Sequence, residues 1–189
     1  MFPKFSDSKS KRMCGIAGAI GNRDSGLIKR MAEIMHHRGP DSHGYFSGAD
    51  IDLGVQRLSI VDIIDGDQPI YNETRSKAIV CNGEIYNYLE LRKELLEKGH
   101  NFRTNSDTEV IIHLYEEYGV ECVSRLNGMF AFAIADGDKL FIARDRIGIK
   151  PLYFAYIEKS GLFIFASEIK ALLQCPELPT AINGEALTD

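Results

Sequence analysis

The 189-residue sequence lacks several features, and each lack removes a class of function. It has no run of 18 apolar residues, so no segment is long and apolar enough to span a bilayer as a helix. It has no basic excess: 22 Lys and Arg stand against 27 Asp and Glu, a net charge of −5, which gives no footprint for nucleic acid. Its four cysteines (Cys14, Cys81, Cys122 and Cys175) form no CxxC pair and no close spacing with histidine. Neither a zinc site nor a disulfide framework is indicated, no metal is expected, and a reducing cytoplasm is the simplest setting. A phosphate-cradling glycine loop of the P-loop or dinucleotide type is absent too. Past residue 13 there is no internal repeat, linker or low-complexity stretch. What remains is an ordinary soluble mix, 44% apolar and 26% charged, long enough for one domain with a substantial core.

The charge is unevenly placed. Lys4, Lys9, Lys11 and Arg12 against Asp7 make residues 1–13 positive by three, so −8 is left for residues 14–189. The leader MFPKFSDSKSKR has no apolar stretch and is no secretory signal. It reads as an early start, an expression remnant or a cleavable propeptide ahead of a domain running from 14 to 189.

Periodicity predicts the elements. CGIAGAIG reads as a buried strand, and Leu27, Met31, Ile34 and Met35 at helical spacing predict a helix over 24–37, stopped at Arg38-Gly39-Pro40. Strands are expected at 43–48, 51–57 and 77–82. A helix over 87–98 presents Tyr88, Leu91 and Leu95 and stops at Gly99. Another opens at Ser106-Asp107-Thr108-Glu109, in the form of a capping box, with Ile111, Leu114, Tyr115 and Tyr118 as its stripe, and ends at Gly119. FAFAIAD and KLFIARD flank Gly137-Asp138 as a hairpin. Residues 151–157 and 162–166 form another hairpin, and 167–173 a short closing helix. Strands, then helices, then strands argue for antiparallel sheets in layers with helices outside.

Cys14 draws attention because of what it would become as a first residue. A free α-amine, pKa roughly 7.7–8.0, would lie beside a thiol of about 8.5 and could accept its proton near neutral pH. Nucleophile and base would then share one residue. Met-Cys-Gly alone is a weak signal. The ordered set CGIAGAIG, HHRGPDSHG, QRLSIVD, CNGEIYNY, TNSDTEV, RDRIGIKPLY and ASEIKALL, spanning 14 to 173, is a strong one. The set resembles class II glutamine amidotransferases, a family of N-terminal-nucleophile hydrolases. QRLSIVD, NGEIYN and RDRIGIKPLYF resemble most the glutaminase domain of glutamine-hydrolysing asparagine synthetases.

The resemblance implies an α+β fold, a four-layer αββα sandwich of two antiparallel sheets. It implies hydrolysis of glutamine's side-chain amide to glutamate and ammonia, with Cys14 as nucleophile and Asn82 and Gly83 as oxyanion donors. Arg57 would hold the substrate's α-carboxylate and Asp107 its ammonium, with Ile60, Val61 and Glu84 lining the pocket. Without that company, Asn82-Gly83 would read as a turn and Asp107 as a helix-start carboxylate. No cofactor is implied here, ATP and magnesium belonging to a synthetase domain expected to be absent from this chain. The partners the resemblance implies are L-glutamine, that ATP-dependent domain or subunit, and a second copy as a homodimer. His36 and His37 are expected to shape a loop rather than act as base or metal ligands. Arg144, Asp145 and Arg146 suggest an internal ion-pair network. Two other readings stay open: a glutaminase feeding a different acceptor such as a sugar phosphate, and a catalytically silent glutamine-binding module.

Overall fold

A computed structural model describes residues 13–21, 24–59, 62 and 66–181. Among them two antiparallel sheets lie face to face. The first has the order β2-β3-β1-β9-β8, made of β1 (Gly15–Ile20), β2 (Ser42–Ser47), β3 (Ile51–Arg57), β8 (Tyr153–Ile157) and β9 (Leu162–Ala166). The second, β4-β5-β6-β7, comprises β4 (Ile70–Tyr71), β5 (Lys77–Ile85), β6 (Gly128–Asp136) and β7 (Lys139–Arg144).

Period-two alternation sorts the side chains into three apolar layers. Ile16, Leu53 and Val55 from the first sheet meet Val80, Ala131 and Ala133 from the second. On the outer face of the first sheet, Ala17 and Ala19 meet Met31 of α1 (Leu27–Glu33) and Ala171 of α4 (Ile169–Leu172). On the outer face of the second, Ile79, Cys81 and Phe132 pack under α2 (Tyr88–Glu97) and α3 (Glu109–Tyr118) through Leu95, Ile111 and Leu114. The result is the expected four-layer αββα sandwich. Each fully buried large apolar side chain contributes about 1.5–3 kcal/mol of transfer free energy, so all three layers matter.

Several expectations shift in detail. The first helix is shorter than 24–37: it ends at Glu33 and passes into turns, and Ile34 is exposed. The capping box does not form. Ser106 Oγ accepts from Thr108 N at 3.2 Å, while Glu109 turns back to accept from Arg103 N and Thr104 N, both at 2.8 Å. The helices do stop at Gly99 and Gly119, whose φ values of +98° and +56° suit helix ends. A 3₁₀ turn, Gly119–Arg125, continues from α3 and was not anticipated, nor was the two-residue β4. The β6–β7 hairpin closes through Gly137-Asp138 as expected, with Asp136 paired to Lys139. Among the described residues no helix is long and apolar enough to cross a membrane.

Candidate active site

Cys14 sits one residue ahead of β1, half-buried. Its thiol lies against the end of β3: Leu58 N donates to Sγ at 3.3 Å, and Sγ faces Leu58 O at 3.7 Å. The segment His36-His37-Arg38-Gly39 fixes this position from behind. Arg38 Nε donates to Cys14 O at 3.0 Å, and its Nη1 bonds Glu168 at 3.0 Å. A Cβ on Gly39 would fall 2.3 Å from Gln56 O, so only glycine lets this loop press on the end of β3. His36 and His37 are exposed, and His37 reaches Glu168 at 3.1 Å.

Burial pushes the Cys14 thiol up from its ordinary pKa, opposed by the Leu58 N–H and by the charges of Arg57, Lys150 and Arg38. Lys150 went unremarked in the sequence beyond its place in RDRIGIKPLY. It is buried at 5% exposure, and its Nζ donates to Met13 Sδ at 3.2 Å, next door to Cys14. The turn that carries it is tied down by Asp145, which accepts from Phe130 N, Ile149 N and Lys150 N. Those donors outweigh burial and hold its carboxyl below the usual range. The expected Arg144–Asp145–Arg146 ion-pair network is absent among the described residues. Asp145 spends itself on backbone N–H groups, and Arg144 on the carbonyls of Gly148 and Lys150.

Asn82 and Gly83 are strand residues of β5, not a turn. Asn82 has the same parity as Val80 and so faces the space between the sheets, on the side that Cys14 shares with Ile16. It is 1% exposed, and its Nδ2 has no hydrogen-bond partner. Burial pushes the thiol of Cys81, one residue earlier, well up, with Asp107 and Cys14 nearby acting in the same direction. Gly83 is fixed by packing, since a Cβ would fall 2.4 Å from Met129 O.

Alternation also decides where the Gly83 N–H points. Phe130, opposite Gly83, exchanges both of its backbone bonds with Asp145, so Gly83 and Phe130 form a non-hydrogen-bonded pair. The odd-numbered N–H groups of β5 thus face its other edge. Gln68 takes the one at Cys81 (2.6 Å) and Asp107 the one at Ile85 (2.7 Å), and Gly83 lies between them.

The residues expected to anchor a substrate divide. Asp107 is buried beside Glu84, and burial, helped by the Glu84 charge, raises its pKa despite the Ile85 and Thr108 N–H groups. Arg57 is 4% exposed and holds Asp67 Oδ1 at 2.9 Å and Asp62 O at 2.6 Å. Ile60 and Val61 lie outside the described residues.

Comparison with known proteins fits this geometry. A family described as "glutamine amidotransferase domain" matches residues 13–189. The chain belongs to that family. It is 44% identical over 187 residues to "asparagine synthetase [glutamine-hydrolyzing] 2" of Bacillus subtilis (strain 168), covering 94% of this chain and 24% of that protein. It is 51% identical over 167 residues to "asparagine synthetase [glutamine-hydrolyzing] 2" of Oryza sativa subsp. japonica, covering 85% and 28%. The amidotransferase domain thus spans about a quarter of the length of these relatives. Its fold is that of N-terminal-nucleophile amidotransferases. Glutamine phosphoribosylpyrophosphate (PRPP) amidotransferase from B. subtilis superimposes with a TM-score of 0.70 at 23% identity, over 84% of this chain and 43% of that one. The allosteric regulatory enzyme of purine biosynthesis gives 0.73 at 21%, over 85% and 43%.

Proposed function

We propose that this domain, acting from residue 14 onward, hydrolyses the side-chain amide of glutamine with Cys14 as an N-terminal nucleophile. The ammonia passes to an ATP-dependent synthetase domain or subunit that converts aspartate to asparagine. The observation that carries the chemistry is the amide of Asn82: a buried donor, unpartnered, on the same side of the sandwich as a thiol. A buried donor left unsatisfied costs roughly 1–3 kcal/mol, and a developing oxyanion is what would repay it.

With residue 14 first in the chain, its α-amine takes the thiol proton and Sγ attacks the amide carbon. The carbon–sulfur bond forms as the carbonyl pair moves to oxygen, where Asn82 Nδ2 and the Gly83 N–H receive it. The protonated amine then gives its proton to the amide nitrogen, the carbon–nitrogen bond breaks, and ammonia leaves a thioester. Water attacks that thioester, the amine collects a proton from it, and glutamate departs as sulfur is released. These steps balance with water alone, so ATP and magnesium serve only the synthetase reaction. While Met13 stays attached, the nitrogen of residue 14 is an amide and cannot act as base. The charges of Lys150 and Arg38 beside it favour a neutral amine and an ionised thiol.

The substrate's α-carboxylate would displace Asp67 from Arg57, exchanging one carboxylate for another on the same guanidinium. Its ammonium would sit with Asp107 and Glu84, and a cation there would relieve the burial that raises the Asp107 pKa. Exposed apolar groups at Ile147 and Phe154 offer contact area for the synthetase partner. Cytoplasmic residence follows from a free thiol nucleophile that a reducing compartment preserves.

The test is covalent trapping. A glutamine analogue bearing an electrophilic ketone should add its mass to the peptide starting at Cys14, and excess glutamine should protect. Labelling elsewhere, or none while glutamine is still hydrolysed, would remove Cys14 from the mechanism.

A further inference from the structure

On the opposite face of the second sheet, four side chains from three separate segments converge. Glu73 comes from the β4–β5 turn, His100 follows the end of α2, and His113 and Glu116 stand three apart on α3. One ligating atom from each lies within 4.8 Å of all the others. The individual separations are 3.1 Å (His100 Nδ1 to Glu73 Oε1), 3.3 Å (His113 Nδ1 to Glu116 Oε2), 3.5 Å (His113 Nδ1 to Glu73 Oε2) and 3.9 Å (His100 Nδ1 to Glu116 Oε2). Nitrogen and oxygen ligands about 2.0–2.2 Å from a tetrahedral zinc ion stand roughly 3.3–3.6 Å apart, so the cluster has the span of a coordination shell.

The surroundings of these four are those of metal ligands as well. Each imidazole directs Nδ1 inward and has a carboxylate near its other nitrogen: Glu117 hydrogen-bonds His100 Nε2 at 3.2 Å, and fully buried Glu109 stands 3.6 Å from His113 Nε2 as an ion-pair contact without a hydrogen bond. That carboxylate–histidine pairing is what orients metal-bound imidazoles. The ligating carboxylates are themselves anchored, Glu73 Oε1 by Asn101 N at 3.0 Å and Glu116 Oε1 by Asn72 Nδ2 at 2.7 Å, leaving Glu116 Oε2 turned to the cluster. Lys77 Nζ, 3.9 Å from Glu116 Oε1, stands on the outer oxygen. Two inward nitrogens and two carboxylates make a set that a divalent, imidazole-accepting ion satisfies in place of two protons.

We propose that Glu73, His100, His113 and Glu116 form a structural zinc-type site pinning the β4–β5 turn and the α2–α3 connection onto α3. The ion plays no part in amide hydrolysis, because its ligands lie on the helix side of the second sheet and Asn82 faces the other side. No cysteine takes part, so the spacing of cysteines in the sequence gave no sign of it.

The test uses the full chain in a Cys14→Ala background, which removes that thiol as a competing ligand. After chelator treatment and dialysis, zinc uptake is measured by competition with a chromophoric chelator. One equivalent should bind and raise Tm. Cobalt(II) should give the intense visible absorption of tetrahedral coordination. The partly exposed ligands are changed as Glu73→Gln and His100→Gln, His113 itself being fully buried. Each should weaken zinc by more than the roughly 10–100-fold that loss of an outer partner costs. In protein that begins at Cys14 the same two changes should leave glutamate release intact. Failure of the Cys14→Ala protein to take up zinc, or uptake indifferent to both substitutions in folded protein, would make the cluster a proton-bridged network and overturn the site.

Discussion

The two sides of the second sheet hold polar groups in different states. Toward the helices, Glu73 and Glu116 meet the Nδ1 atoms of His100 and His113, while His113 Nε2, 3.6 Å from Glu109, makes an ion-pair contact without a hydrogen bond. Toward the other sheet, Asn82 keeps a buried donor unspent, and beside it Gly83 N–H points to the open edge of the strand. The two sides of the second sheet thus differ: the cluster under α3 ties segments together, while the inter-sheet side keeps the donors that the proposed reaction would use as charge develops.

The sharpest way to break that contrast is Cys14→Ala. Glutamate release should fall by at least about a thousandfold, since removing a nucleophile removes the covalent route itself. Far-UV circular dichroism should stay unchanged, because the side chain belongs to none of the three apolar layers. Asn82→Ala should come next. Loss of one oxyanion donor costs on the order of 10²–10³-fold in kcat, and KM for glutamine should change far less. Stability should hold or rise, since an unsatisfied buried amide leaves with the substitution. A large fall in Tm would instead mean that Asn82 serves the fold.

Lys150→Met asks a quieter question of the open face. The Lys150 charge lowers the Cys14 pKa, so removing it should move the pH midpoint of Cys14 alkylation upward, with Cys14→Ala as the blank. An unmoved midpoint would reduce Lys150 to a packing role.

The smallest effect belongs to the closed face, in metal-free buffer. Burial alone would lower the His113 pKa, but Glu109, Glu73 and Glu116 raise it, and stability gained that way is full below the unfolded value and lost as pH rises through the folded one. Glu73 and Glu109 are opposed by burial, yet Asn101, Thr104 and the imidazoles bring them below their ordinary range. Their contribution is lost as pH falls through the folded values. The advantage of the native chain over His113→Gln in urea unfolding should therefore peak between about pH 4.5 and 6.5 and shrink on either side. A flat difference would show that the imidazole carries no charge.

Much of this was legible in the sequence because the signals were local. The hairpin at Gly137-Asp138, the apolar stripes of α2 and α3, and the stops at Gly99 and Gly119 depend on neighbours within a few residues. The ordered motifs brought Cys14, Arg57, Asn82, Gly83 and Asp107 onto one list, and the architecture followed from the same resemblance. What was missed depends on tertiary contact. Glu109 had the spacing of a capping box, but Arg103 and Thr104 offered it better donors. Lys150 looked like any charged residue of a turn until its burial beside Cys14 was seen. Glu73, 27 residues from His100 and 40 from His113, could be joined to them only by the packing of α3 over β5.

The central claim is that a free α-amine on Cys14 makes the nucleophile. It is tested most directly by measuring glutamate release from protein whose intact mass shows Cys14 first, beside the same protein retaining residues 1–13. The account predicts release from the first and none from the second until its mass falls to that of the first. Release from leader-bearing protein of unchanged mass, or none from protein that begins at Cys14, would contradict it.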